Sequence, residues 1–251
     1  MGFRDFKDKV DRYFGFDKEE VKGIIIATLI FAFIISYREW GYGQAFEIDI
    51  GLKNFVNAAI IVLLAILVHE SGHKLCGVYY GFKIKTRIWW YGMGIALLIC
   101  FLSRGRLWFL ALSGMTLHHL AIQRLGKFRY GERPVELSMI ALAGPLANII
   151  LATLLKTMQL WFPALSINAA LVHKAFIINW AIAIVNLLPI PPLDGIHIFF
   201  QSRLFYISIF GFMAGYGALI YFGIYSWLWA LFIAGIAWIL FYVYFERGAI
   251  S

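Results

Sequence analysis

The sequence predicts an all-α membrane fold: about six transmembrane helices, with a small membrane-dipping β element between helices two and three. Three observations carry this. Hydrophobic residues make up 62% of the 251 positions and charged residues only 14%, whereas soluble domains run near half apolar and a quarter charged. The mean hydropathy is +0.78, and several runs have almost no polar face to present to water. One stretch breaks the helical pattern. Lys83, Lys85 and Arg87 alternate with Ile84, Thr86 and Ile88, the period of two that marks a strand.

Residues 1–21 mix acids and bases around Phe3, Phe6, Val10 and Phe14. That pattern reads as an amphipathic interfacial helix or a solvated tail, and not as a cleavable signal peptide. Spans are expected at residues 22–37 and 54–76. In residues 77–134 the apolar run 95–103 is too short to cross ~30 Å of hydrocarbon. The run 107–122 is marginal and interrupted by Gly114. Strands and re-entrant elements buried against protein are expected there, with a helix over 107–122 as the alternative. Spans resume near 136–160, 173–193, 204–223 and 226–245. Gly211 and Gly215 in the fifth are spaced for close helix packing. The chain divides into an entry segment and first span (1–53), a three-helix core with the β region (54–200) and a C-terminal helix pair (201–251).

The formal charge of +8 is distributed as membrane topology and not as a nucleic-acid surface. Arg4, Lys7, Lys9, Arg12, Lys18 and Lys22 lie before or at the start of the first span, ten more cations run from Lys74 to Arg133, and Arg203 and Arg247 fall on the same side. Only Arg38, Lys53, Lys156 and Lys174 fall on the opposite side. This asymmetry predicts a multi-pass cell-membrane protein with both termini in the cytoplasm. Cys76 and Cys100 form neither a disulfide framework nor a paired-cysteine metal site. Cys76 would share the face of His73 if the helix continues that far.

The chemistry concentrates at His69-Glu70-Ser71-Gly72-His73, which follows an uncharged run over residues 55–68. Ionisable groups at such a depth are costly and mark functional sites. Positions i and i+4 share a helix face, so His69 and His73 can both aim a nitrogen at one metal ion. Glu70 beside them has the position of the general base in zinc hydrolases. A catalytic zinc takes three protein ligands. The leading candidate for the third is Asp194, an acid preceded by Pro189, Pro191 and Pro192, which break the helix and let the carboxylate turn toward a cavity. His197, His118 and His119 are the runners-up. The same ligands would also serve a membrane metal transporter or sensor, but such a site has no need of Glu70.

Taken together, three stretches resemble the site-2 protease family of intramembrane zinc proteases. They are the His69–His73 motif, Ala143-Gly144-Pro145-Leu146-Ala147-Asn148, and Asn186-Leu187-Leu188-Pro189-Ile190-Pro191-Pro192-Leu193-Asp194-Gly195. The resemblance covers about residues 54–200 and fits the compact archaeal-type branch, without a PDZ or CBS domain. It implies that His69, His73 and Asp194 bind one zinc ion, that Glu70 is the catalytic acid/base, and that Asn148 and Asn186 bind substrate. It also implies that residues 82–104 form a sheet that pairs with extended substrate. The implied substrate is a single-pass transmembrane protein, cut near the cytoplasmic side, with lipid as the other partner. A helical substrate hides its scissile carbonyl in an i→i−4 bond, so it must be unwound. Asparagine amides and a free strand edge could then satisfy the exposed backbone groups.

Overall fold

The computed structural model describes residues 2–41, 46–119, 133–161 and 168–246. Helix α1, Phe3–Tyr13, carries Asp5 in its first turn and Arg12 in its last, each placed favourably against the helix dipole. The Phe6 ring meets Tyr79 edge-on at 6.5 Å. Helix α2, Lys18–Ser36, starts where Glu20 reaches back to accept the Asp17 backbone N–H at 2.7 Å, the reciprocal half of a capping box. Helix α3, Ile48–Tyr80, has 33 residues and is therefore ~50 Å long, enough to cross a bilayer and extend beyond it.

Gly81 ends α3 in the left-handed region at φ +89°, its N–H reaching the carbonyls of Gly77 and Val78. A side chain would be strained there, and the glycine lets the chain reverse at once. Strand β1, Phe82–Ile88, therefore runs back along the C-terminal end of α3. It pairs antiparallel with β2, Ser113–His119, in a register that places Phe82 opposite His119 and Ile88 opposite Ser113. Between the strands lies helix α4, Trp90–Leu102.

The second half is helical. Helix α5, Pro134–Trp161, contains Pro145 in its interior. Helix α6, Ala169–Asn186, is capped by the Asn168 side chain, which accepts from the N–H groups of Ala170 and Leu171. A short helix α7, Asp194–Gln201, follows the proline loop. Helices α8, Arg203–Tyr221, and α9, Trp227–Phe241, are capped by Ser202 and Ser226 and form a hairpin. Ala234 of α9 lies against Gly211 of α8, so the small-residue pair serves the close packing expected of it. A last π turn covers Tyr242–Glu246.

Among the described residues, five helical segments are long and apolar enough to cross a membrane: α3, α5, α6, α8 and Trp227–Glu246. The chain is thus a multi-pass membrane protein, and the all-α expectation with a small β element holds. Two details of the expectation change. The predicted first span is helical, but Lys18, Glu19, Glu20 and Lys22 occupy its first turns. The uncharged remainder, residues 23–36, is ~21 Å long and falls short of the hydrocarbon thickness. In the β region only residues 82–88 are strand, whereas residues 90–102 form α4. That apolar run has no period-two alternation, and it folds as a short helix against α2. Residues 113–119 are strand and not a further span; residues 120–122 lie outside the described set.

The core is built where α2, α3, α4 and α6 meet, around Phe31, Ile34, Val62, Ala65 and Ile178, all essentially inaccessible. Helix α3 also packs along α5, and α5 along α6. The histidine face of α3 is thereby enclosed by α5 and by the loop that follows α6. The outer face of α9 remains apolar, with Trp229, Leu231, Phe232 and Ile236 exposed, as contact with lipid requires.

Candidate metal centre

Two elements supply the site. Helix α3 supplies His69 and His73, one turn apart, and the start of α7 supplies Asp194. His69 Nε2 lies 3.1 Å from Asp194 Oδ2, His73 Nε2 lies 3.3 Å from Asp194 Oδ1, and the two Nε2 atoms are 3.1 Å apart. All three residues are at most 3% exposed. Among the described residues this is the group of His, Cys, Asp and Glu side chains arranged to hold a metal ion.

The hydrogen bonds on the far side of each ring decide what the near side offers. His73 Nδ1 is 2.7 Å from the carbonyl of Ile140, and His69 Nδ1 is 2.7 Å from Asn148 Oδ1. Both partners can only accept, so both Nδ1 atoms carry the proton. In the neutral rings each Nε2 is then a bare lone pair, pointing at the other and at a carboxylate. Three acceptors share a dry space only with a metal ion or a proton between them. Tetrahedral zinc with ligand bonds of ~2.0–2.1 Å separates its ligand atoms by ~3.3 Å, which matches the observed spacings. Two imidazoles and one carboxylate also form a zinc ligand set of the catalytic kind. The donors therefore fit zinc.

The orientation of His69 is fixed by a chain of amides. Asn148 is fully buried; its Nδ2 donates to the Ala65 carbonyl at 3.0 Å and to Asn179 Oδ1 at 2.9 Å, leaving Oδ1 for His69. Asn179 is oriented in turn by donating to the Ala175 carbonyl at 2.8 Å. Such outer partners set the tautomer and the basicity of metal-bound histidines. The observed contacts of Asn148 are thus to a ligand and its supports. Asn179 was not anticipated from the sequence. Its signal is an amide in an apolar helix, seven residues before Asn186 and so near the same face.

Helix α5 can come this close because of Gly144. A Cβ at that position would stand 2.3 Å from His73 Nε2 and 2.8 Å from His69 Nε2. Pro145 has no N–H to give to the Ala141 carbonyl one turn back, and the neighbouring Ile140 carbonyl receives His73. After α6, the Pro189–Pro192 turn carries the chain to Asp194, the first residue of α7, where the helix dipole favours a carboxylate.

Glu70 is 2% exposed, and its Oε2 accepts the Thr86 hydroxyl of β1. A cavity of about 20 Å³ is lined by Glu70, Thr86, Glu19, Glu20, Ile66 and Leu112, room for about one water. Asn186 pairs with the extended segment before β2: its Oδ1 accepts the Leu112 N–H at 3.1 Å, and its Nδ2 donates to the Leu110 carbonyl at 3.1 Å. The other candidates stand apart. Cys76 directs its thiol toward the Met139 carbonyl. His118 is exposed on β2 and half-buried His197 is not one of the convergent ligands. The side chain of His119 lies outside the described set.

Two outcomes follow from this geometry. Gly144→Ala should cut metal content from about one per chain to near zero, read by elemental analysis of the purified protein. Asn148→Ala should weaken zinc binding about 10–100-fold in competition with a chelator, leaving the helical content unchanged.

Comparison with known proteins points the same way. The chain is 29% identical over 184 residues, covering 72% of its length and 84% of the relative, to a protein of Methanocaldococcus jannaschii whose own name marks it as a candidate zinc metalloprotease. No protein-family model matches the chain, and no solved structure matches it. The similarity runs through most of both chains and supports a relationship to zinc metalloproteases.

Proposed function

We propose that this protein is an intramembrane zinc metalloprotease of the site-2 protease type, hydrolysing peptide bonds within the transmembrane segments of single-pass membrane proteins. The observation that carries the reading is the buried His69, His73 and Asp194 triad with Glu70 beside it, on a helix long and apolar enough to cross a membrane. Zinc held there supplies Lewis-acid chemistry, activating water near neutral pH and polarising a carbonyl.

The protein's own groups account for the rest. Glu70 takes the proton of the attacking water and delivers it to the amide nitrogen, as the C–O bond forms and the C–N bond breaks. The small cavity beside Glu70 supplies space for a water next to that carboxylate. Asn148 acts through His69. Asn186 holds residues 110–112 extended, and we infer that a substrate segment adds its backbone to this extended region, since an unwound chain in lipid must satisfy its polar groups. The distribution of Lys and Arg supports an orientation with both termini and the site toward the cytoplasm.

The test is Glu70→Gln in detergent or liposomes with a tagged transmembrane substrate. The variant should keep about one zinc per chain and lose cleavage at least about 10³-fold relative to wild type. Undiminished cleavage contradicts the mechanism. Zinc transport into liposomes without any peptide cleavage by the wild type would instead favour a metal transporter.

A further inference from the structure

Strand β1 alternates strictly. Phe82, Ile84, Thr86 and Ile88 fall on one face, and Lys83, Lys85 and Arg87 on the other. Phe82 and Ile84 are buried against Ile140, so Thr86 is the polar group on an otherwise apolar inner face. Packing alone would be served by valine, which has the same shape. The threonine hydroxyl instead donates to Glu70 Oε2.

Thr86 is itself held in place. Its backbone N–H donates to Glu20 Oε1 at 2.9 Å. The same oxygen accepts from Lys74 Nζ at 2.8 Å, in an ion pair with both side chains at most 3% exposed. Lys74 lies one turn beyond Glu70 on α3. Its other hydrogen bonds go to the carbonyls of Gly15 at 2.9 Å and Ile84 at 3.1 Å, so its three donors meet three acceptors. The carbonyl of Ile84 and the N–H of Thr86 are two successive grips on β1. The strand cannot slide along α3 without breaking a buried charge contact, which is costly.

We propose that Thr86 is the positioning residue of Glu70. A glutamate carboxylate rotates broadly about its last torsion, and one fixed hydroxyl at Oε2 restricts that rotation, so that the carboxylate faces the site. This rests on the protease reading above and adds to it a residue outside the three motifs. It also gives the charged start of α2 a purpose: Glu20 belongs to the support of the active site and not to a membrane span.

The experiment compares wild type, Thr86→Val, Thr86→Ala and Thr86→Ser in cleavage of one transmembrane substrate, with zinc content and thermal unfolding measured on each. Thr86→Val and Thr86→Ala should lower kcat about 10–100-fold with KM within about twofold, and should keep one zinc per chain. Thr86→Ser, which retains the hydroxyl, should recover kcat to within a few-fold. Wild-type kcat in Thr86→Val or Thr86→Ala overturns the proposal and leaves the protease reading intact, as does a Thr86→Ser variant no better than Thr86→Val. Loss of zinc in step with activity overturns it too. Absence of cleavage by zinc-loaded wild type overturns the protease reading and this inference with it.

Discussion

Everything at the centre of this protein depends on three acceptors brought together out of water. Two imidazole nitrogens and a carboxylate stand 3.1–3.3 Å apart, with both ring protons committed on the opposite side. An apolar site would have been easier to build. The Nδ1 contacts to Ile140 and Asn148 fix the tautomer of the neutral rings, so that each Nε2 faces the carboxylate as a lone pair. The combination of convergence, burial and fixed tautomers is what a divalent cation requires. The surrounding fold can be understood as the means of bringing α5 and α7 up to α3 without filling that space.

Close approach and polar satisfaction are both needed. Gly144 removes the one side chain that would occupy the site. Asn148 and Asn179 then close the hydrogen bonds that an apolar interface between α3, α5 and α6 would leave open. In a membrane the penalty for an unmatched amide is large, and here each of these amides has partners on neighbouring helices. The same logic holds next to the histidines on α3, where Lys74 and Glu20 neutralise one another and clamp β1. One helix thus carries two polar clusters a turn apart, one serving the metal ligands and one serving the strand that touches Glu70.

The parts legible in the sequence are those with local signatures. His69 and His73 show as an i,i+4 pair after an uncharged run, Asp194 as an acid released by prolines, and β1 as a period of two. Gly144 and Asn148 were legible only through a resemblance, because nothing local says that a glycine must face a histidine on another helix. Asn179, Thr86 and the Glu20–Lys74 pair are long-range contacts, and sequence spacing does not encode them. The charges at the start of α2 were read as the flank of a span. Of these, Glu20 is internal structure, buried against Lys74 of α3, while Lys18, Glu19 and Lys22 stay exposed. The helical α4 was missed because a short apolar run looks alike as a strand or a helix when it lacks periodicity.

The central claim is that His69, His73 and Asp194 share one zinc ion. X-ray absorption at the zinc edge of the purified protein tests it most directly. The account predicts two imidazole ligands at ~2.0–2.1 Å, the remainder of the coordination from oxygen, and no sulfur. A sulfur ligand at ~2.3 Å would point to Cys76 and contradict the assignment, as would zinc bound with an unchanged spectrum in an Asp194→Ala variant.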